Sequence, residues 1–341
     1  MSNLLRKIKN TLETNEMAAA WFDGIAGTSL YRKFIYYKIR KYASWIKESR
    51  RYNVIIETTN LCNARCVMCP HNKMKRKMEV IRDETFDLIV EKLKNEKINP
   101  LAFILNGFGD PLTDGKIFER IKILRKEFPR SVVKFYTNLG LANEDTIKNI
   151  LTSGLSEINV SFNGYGKEDY EKTMGIDYDR TLENLKSLIA ERNKMQSRLK
   201  IRLSMTLLSQ NEGDEKKFIN YWKNKADSVS VNKIHSYNKS VEDVSGKNKI
   251  NFSKPTCPCK YIWNTIVFGT SGDIFLCCLD FEGTYNFGNI ASNGILNIYY
   301  GEKFSQIREE HLGNRIKNIE MCSSCYTPYR NGVEWLVENL F

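Results

Sequence analysis

Residues 53–69 read Asn53-Val54-Ile55-Ile56-Glu57-Thr58-Thr59-Asn60-Leu61-Cys62-Asn63-Ala64-Arg65-Cys66-Val67-Met68-Cys69. The run 53–58 is apolar and β-branched, the pattern of a buried strand. The loop behind it places three cysteines within eight residues. Working outward, the alternation repeats. Strands are predicted over 101–105, 132–136, 157–162, 200–206 and 228–231. Helices are predicted between them over 83–95, 115–128, 143–153, 178–194 and 212–223. Acids stand in first turns at Asp83-Glu84 and Glu144-Asp145, where the helix dipole favours them. Six strand–helix units predict an α/β protein: a partial (β/α)6 TIM-like barrel, with a doubly wound sheet as the alternative.

A segment with little periodicity, 236–255, predicts a linker. Behind it the pattern changes. Strands are expected over 262–268 and 273–276, joined by Gly269-Thr270-Ser271-Gly272, and a helix over 296–310. The organisation expected is a basic amphipathic helical arm over 1–51, a barrel over 52–240 and a small α+β cysteine-rich domain over 241–341.

With 42% hydrophobic residues and 11% aromatic residues the chain is not a disordered one. The longest uncharged run, 283–301, holds four Asn and is too polar for a bilayer core. The start has no unbroken apolar stretch, so a secretory signal is not expected and a cytoplasmic location is. Net charge is +12, and residues 1–51 hold 11 Lys and Arg against four acids. A basic arm is indicated, and a general nucleic-acid surface is not. On a wheel, Tyr31, Phe34, Ile35, Ile39, Tyr42, Trp45 and Ile46 share one side of a helix over 30–48. That side either packs on the barrel or lies on an anionic membrane, giving peripheral contact through residues 30–51.

The nine cysteines fall in groups: Cys62, Cys66, Cys69; Cys257, Cys259; Cys277, Cys278; Cys322, Cys325. An odd number in a cytosolic chain suits metal better than disulfides. Three thiolates after a barrel strand can hold an iron–sulfur cube and leave one iron without a protein ligand, an open position for chemistry. A structural zinc on Cys62, Cys66, Cys69 and His71 is the alternative.

The C-x3-C-x2-C spacing resembles the signature of the radical S-adenosylmethionine (radical SAM) superfamily. The resemblance implies that Cys62, Cys66 and Cys69 hold a catalytic [4Fe–4S] cluster. Its free iron would chelate S-adenosylmethionine, whose reductive cleavage releases a 5′-deoxyadenosyl radical. Met68 matches the position beside the adenine. Gly107-Phe108-Gly109-Asp110-Pro111 resembles the family's Gly-Gly-Glu-Pro motif, which holds the methionine amino group, with Phe108 for the first Gly and Asp110 for Glu. Taken alone that stretch is also a plain turn. Thr137-Asn138 and Ser161-Phe162-Asn163 match positions near ribose and the methionyl carboxylate, and otherwise read as strand-end turns. Met174 stands where many relatives have Arg, so Arg202 is the candidate carboxylate partner.

Cys259, Cys277, Cys322 and Cys325 are four thiolates, the number that fully ligates a cluster. Their spacing resembles the twitch form of the SPASM extension, implying an auxiliary [4Fe–4S] cluster; a zinc ribbon is the alternative. Cys257 and Cys278 are left over as bystanders, substitute ligands or hydrogen donors. An auxiliary cluster can accept an electron from a substrate radical. The resulting expectation is an oxidoreductase acting on a small molecule: a sugar, cyclitol or polysaccharide precursor, by dehydrogenation or epimerisation. A flavodoxin or ferredoxin-type protein would donate electrons. The other readings are a peptide-modifying maturase of the same superfamily and a non-catalytic iron–sulfur electron carrier.

Overall fold

The computed structural model describes residues 28–232, 234, 235, 237, 258–325 and 327. The expected linker, apart from Tyr237, and Cys257 lie outside the described residues. One nine-stranded sheet runs through the molecule in the order β6-β5-β4-β3-β2-β1-β7-β8-β9. Strands β1 (Asn53–Ile56), β2 (Ala102–Ile104), β3 (Val132–Thr137), β4 (Glu157–Ser161), β5 (Lys200–Thr206) and β6 (Ser228–Asn232) pair in parallel. Among the described residues the sheet does not close; β6 and β9 are its edges. A partial six-stranded α/β barrel is therefore present, as the periodicity predicts.

Helix α1 (Ser29–Ser49) precedes the barrel. The barrel helices are α2 (Asp83–Asn95), α3 (Ile117–Glu127), α4 (Glu144–Thr152), α5 (Lys167–Met174), α6 (Tyr178–Lys194) and α7 (Glu215–Trp222). Asn143 and Asp177 cap α4 and α6 through their side chains. Helix α5 was not expected from the sequence: it is eight residues long and too polar to show an apolar period.

The C-terminal part, expected as a small α+β domain, extends the barrel sheet. Strand β7 (Thr265–Phe268) pairs in parallel with β1, and β8 (Asp273–Phe275) and β9 (Asn286–Asn289) continue the sheet antiparallel. The predicted strand 262–268 opens instead as a helical turn, α8 (Tyr261–Asn264). The hairpin turn is as predicted, with Gly272 at φ +84°. The helix over 296–310 is two helices, α9 (Ile295–Tyr299) and α10 (Glu302–Leu312), which meet at Tyr300-Gly301. A short α11 (Glu320–Ser323) follows.

Side-chain alternation gives the sheet two unlike faces. Val54, Ile56, Phe103, Val133, Phe135, Ile158, Val160, Ile201 and Leu203 are buried in the main core under the helices. The other parity faces the hollow of the barrel. In one row across the sheet, register sets Val267 beside Ile55, then Ile104, Lys134, Glu157 and Lys200. The next row runs Tyr136, Asn159, Arg202, Ser228. The hollow thus has an apolar side, where Ile55, Val267 and Phe275 cluster, and a charged side on β3–β5.

Candidate active site

The loop after β1 is held at both ends. Asn60, fully buried, accepts from Glu79 N–H (2.6 Å) and donates to Lys77 O (2.7 Å), and His71 Nε2 bonds Asn60 O (2.8 Å). His71 therefore anchors the loop. On the other side the loop hangs from the end of α5: Arg65 N–H donates to Met174 O and Val67 N–H to Thr173 O, each at 3.0 Å. Cys66 Sγ lies 3.5 Å from Met174 Sδ. Burial pushes all three thiols up, Cys62 to about 11, and charge on the neighbouring thiols adds to the shift at Cys62 and Cys66.

The segment after β2 closes against this loop. A Cβ on Gly109 would come within 2.5 Å of the Leu61 and Thr59 carbonyl oxygens, and one on Gly107 within 2.0 Å of Glu57 Oε1, so both positions require glycine. Glu57 is buried, gripped by both guanidinium ends of Arg76, and accepts from Phe108 N–H (3.0 Å). Asp110 is buried with its carboxylate fully engaged. It accepts from Leu112 N–H (3.0 Å), Asn138 N–H (2.8 Å) and Thr137 Oγ1 (2.9 and 3.0 Å). Asp110 and Thr137 thus brace the loop after β2 against the end of β3. Asn138 pairs with Asn63 inside the cysteine motif (Nδ2 to Oδ1, 3.0 Å). Asn63 was not singled out from the sequence, and its place beside Cys62 is the signal that could have found it.

Across the β7–β8 hairpin, Cys259, Cys277, Cys278, Cys322 and Cys325 line one cavity of about 140 Å³. Burial, and then charge on Cys278, Cys322 and Cys325, drives the Cys277 thiol well up. His311, fully buried, accepts from Cys259 N–H through Nδ1 (3.2 Å), and burial holds its imidazole down at about 4. No sequence pattern marked it. Cys277 and Cys278 also line a second hollow with Glu57, Asn106 and Phe108, at the mouth of the barrel.

Residues 56–220 match the family model described as the Radical SAM superfamily, and 257–326 the one described as an iron–sulfur cluster-binding domain, SPASM. The chain belongs to the radical SAM superfamily. Its radical SAM domain is one that carries a [4Fe–4S] cluster and S-adenosylmethionine, and its SPASM domain one that carries auxiliary iron–sulfur clusters. The residues present suit such groups. Thiols crowded and buried together are costly to ionise alone, and coordination to iron removes that cost. A probable GTP 3′,8-cyclase of Saccharolobus islandicus is 28% identical over 181 residues, 53% of this chain and 54% of the relative. The chain spans about half the length of the curated relatives it matches. Among solved structures, BtrN in complex with AdoMet and 2-DOIA aligns with TM-score 0.56 at 15% identity, over 80% of this chain and 92% of that one. Streptococcus suis SuiB bound to precursor peptide SuiA gives 0.62 at 15%, over 79% and 70%. Native anSMEcpe with bound AdoMet gives 0.60 at 16%, over 84% and 95%. These likenesses establish the shared fold.

Within this radical SAM fold most of the expected site residues lie together. Met68 is buried in the core. Asn163 donates to Met174 Sδ (2.9 Å) and accepts from Thr206 N–H (2.7 Å), and Ser161 ends β4 on the inward parity. Arg202 is elsewhere. It stands four residues before the end of β5, with Nη1 bonded to Ser228 Oγ (3.1 Å) and Nε 2.7 Å from Glu157 Oε2.

Proposed function

We propose that the chain is a radical SAM oxidoreductase that takes hydrogen from a small molecule, a sugar, cyclitol or polysaccharide precursor, in dehydrogenation or epimerisation. Cys62, Cys66 and Cys69 would hold the catalytic cluster, and Cys259, Cys277, Cys322 and Cys325 the auxiliary one. Bound there, the cofactors supply reductive cleavage of S-adenosylmethionine, hydrogen abstraction and a one-electron acceptor. The protein's own part is positioning. Asp110 and Thr137 lock the loop after β2 to the end of β3, the Asn63–Asn138 pair ties the cysteine loop to them, and Gly107 and Gly109 let backbone approach closely.

The observation that carries the oxidative reading is the shared wall. Cys277 and Cys278 line both the auxiliary cavity and the hollow at the barrel mouth. An acceptor in that cavity would sit one side chain from a substrate in the barrel. A flavodoxin or ferredoxin-type donor would supply the first electron. The test is anaerobic incubation of the reconstituted protein with S-adenosylmethionine and dithionite. Release of 5′-deoxyadenosine is expected, and its loss in each of Cys62→Ala, Cys66→Ala and Cys69→Ala. Continued release by the triple variant overturns the assignment, and no release by the unsubstituted protein favours the electron-carrier reading. The peptide-modifying reading is favoured if only peptides, and no small molecule, raise the rate of release.

A further inference from the structure

We infer that the charged side of the barrel hollow is a phosphoryl-binding floor, so that the substrate is a phosphorylated small molecule. The inference rests on the proposed hydrogen-abstracting site above it. Register places Lys134, Glu157 and Lys200 directly opposite one another on three adjacent strands, all on the inward parity. Arg202 stands one row higher on the same parity, opposite Ser228. Three cations thus stand around one carboxylate, and two of them pair with it. Lys134 Nζ lies 3.8 Å from Glu157 Oε1, and Arg202 Nε lies 2.7 Å from Oε2. The Arg202 Nε is nevertheless buried without a hydrogen bond, its N–H pointing away from that oxygen.

Among the described residues no other carboxylate pairs with these cations. Just after β1 the carboxylate is Glu57, already paired with Arg76. Asp280, at the mouth, accepts from Thr284 N–H (2.9 Å) and Tyr285 N–H (2.8 Å). Tyr136 adds a hydroxyl on the Arg202 row. Its ionisation is pushed up by burial and then by the charge on Glu157, so it faces the floor as a neutral donor. The floor holds two positive charges in excess. A phosphoryl dianion matches that number, and an arginine, lysines and hydroxyls are the donors suited to it. A monocarboxylate would leave one cation uncompensated. Arg202's side chain is 41% exposed. The Ser161–Ser204 row lies two residues above Arg202, about 7 Å along the strands. A small molecule anchored by phosphate at the floor would therefore present its carbon skeleton near the ends of β4 and β5.

The measurement is calorimetric titration of the reconstituted protein with inorganic phosphate, and with acetate as the comparison. Saturable phosphate binding is expected, at least tenfold tighter than acetate. Lys134→Met is expected to weaken it at least tenfold. Glu157→Gln, which removes the competing carboxylate while keeping its shape, is expected to tighten it several-fold, a direction that a structural role for Glu157 would not produce. Should Lys134→Met fail to fold, Glu157→Gln alone decides. Absence of saturable binding, equal affinity for acetate, or binding that Glu157→Gln leaves unchanged or weakens overturns the proposal. Release of 5′-deoxyadenosine by the unsubstituted protein is read separately, so a failure of the floor and a failure of the catalytic reading give different results.

Discussion

Gly109 shows how far a single residue controls this site. Its missing Cβ would occupy a point 2.5 Å from two carbonyl oxygens of the cysteine loop. Backbone carbonyls cannot swing away as a flexible side chain can, so an added methyl displaces residues 59–61 and with them Cys62. Gly109→Ala is expected to cost about 1–3 kcal/mol in the thermal unfolding of the reconstituted protein, the range for overpacking. It is also expected to lower the iron retained at the first site. Gly115 is the control. A Cβ there meets nothing within 4 Å, so Gly115→Ala is expected to be neutral or slightly stabilising. Equal effects of the two changes would show that the close approach at Gly109 does not matter. The need for small residues was legible in the motif, but their neighbours were not. The segment that crowds Gly109 is some fifty residues earlier, and no local pattern joins them. The role of Asp110 was hidden for the same reason: its partners lie at Thr137 and Asn138.

At the scale of elements, α1 resolves into two faces. Ile35, Ile39 and Ile46 are buried, and Tyr42 Oη accepts from Asn264 Nδ2 of α8 (2.8 Å). The packed-helix alternative therefore describes this face. Phe34 and Trp45, which the wheel placed with it, are 44% and 45% exposed. They fall with Leu30 and Tyr37 on the other side of the helix, where Lys38 lies over Phe34, Lys41 over Tyr37 and Arg51 over Trp45. Among the described residues no helix is long and apolar enough to cross a membrane. Two experiments separate the faces. Ile39→Ala is expected to cost about 2–5 kcal/mol, from lost burial and the cavity left behind, measured by denaturant unfolding. Phe34→Ser with Trp45→Ser is expected to leave stability within about 0.5 kcal/mol and to weaken binding to phosphatidylserine vesicles at low salt at least tenfold. Unchanged vesicle binding would leave α1 as a packing element alone. Long amphipathic helices and alternating strands were legible, and β5 and α6 lie where periodicity puts them. The register between strands was not. It depends on tertiary pairing, so the row Lys134, Glu157, Lys200 could not be read from segments more than twenty residues apart.

For the whole molecule, the continuity of the sheet is what joins the two halves of the proposed chemistry. Because β7 pairs with β1, the cavity ringed by five cysteines lies beside the barrel mouth, with Cys277 and Cys278 as the common wall. Ligand counting then makes a prediction about iron. Three thiolates can hold one cube with an open corner, and four can close a second. The reconstituted protein is expected to carry about eight irons, and the Cys62→Ala, Cys66→Ala, Cys69→Ala triple variant about four. Zinc also accepts four thiolates, so stoichiometry is joined to spectroscopy: the triple variant should show the Mössbauer signature of a [4Fe–4S] cluster. A Cys322→Ala, Cys325→Ala variant should lose that second set of irons and still cleave S-adenosylmethionine, because neither thiol belongs to the loop after β1. Its substrate chemistry separates the oxidative reading from a redox-neutral one. If the auxiliary site accepts the electron that turns a substrate radical into an oxidised product, this variant makes 5′-deoxyadenosine without the product. If it still makes product at the normal ratio, the shared wall has no redox role and epimerisation becomes the better account. A colourless, zinc-loaded triple variant would have the same consequence, since zinc has no second oxidation state to offer.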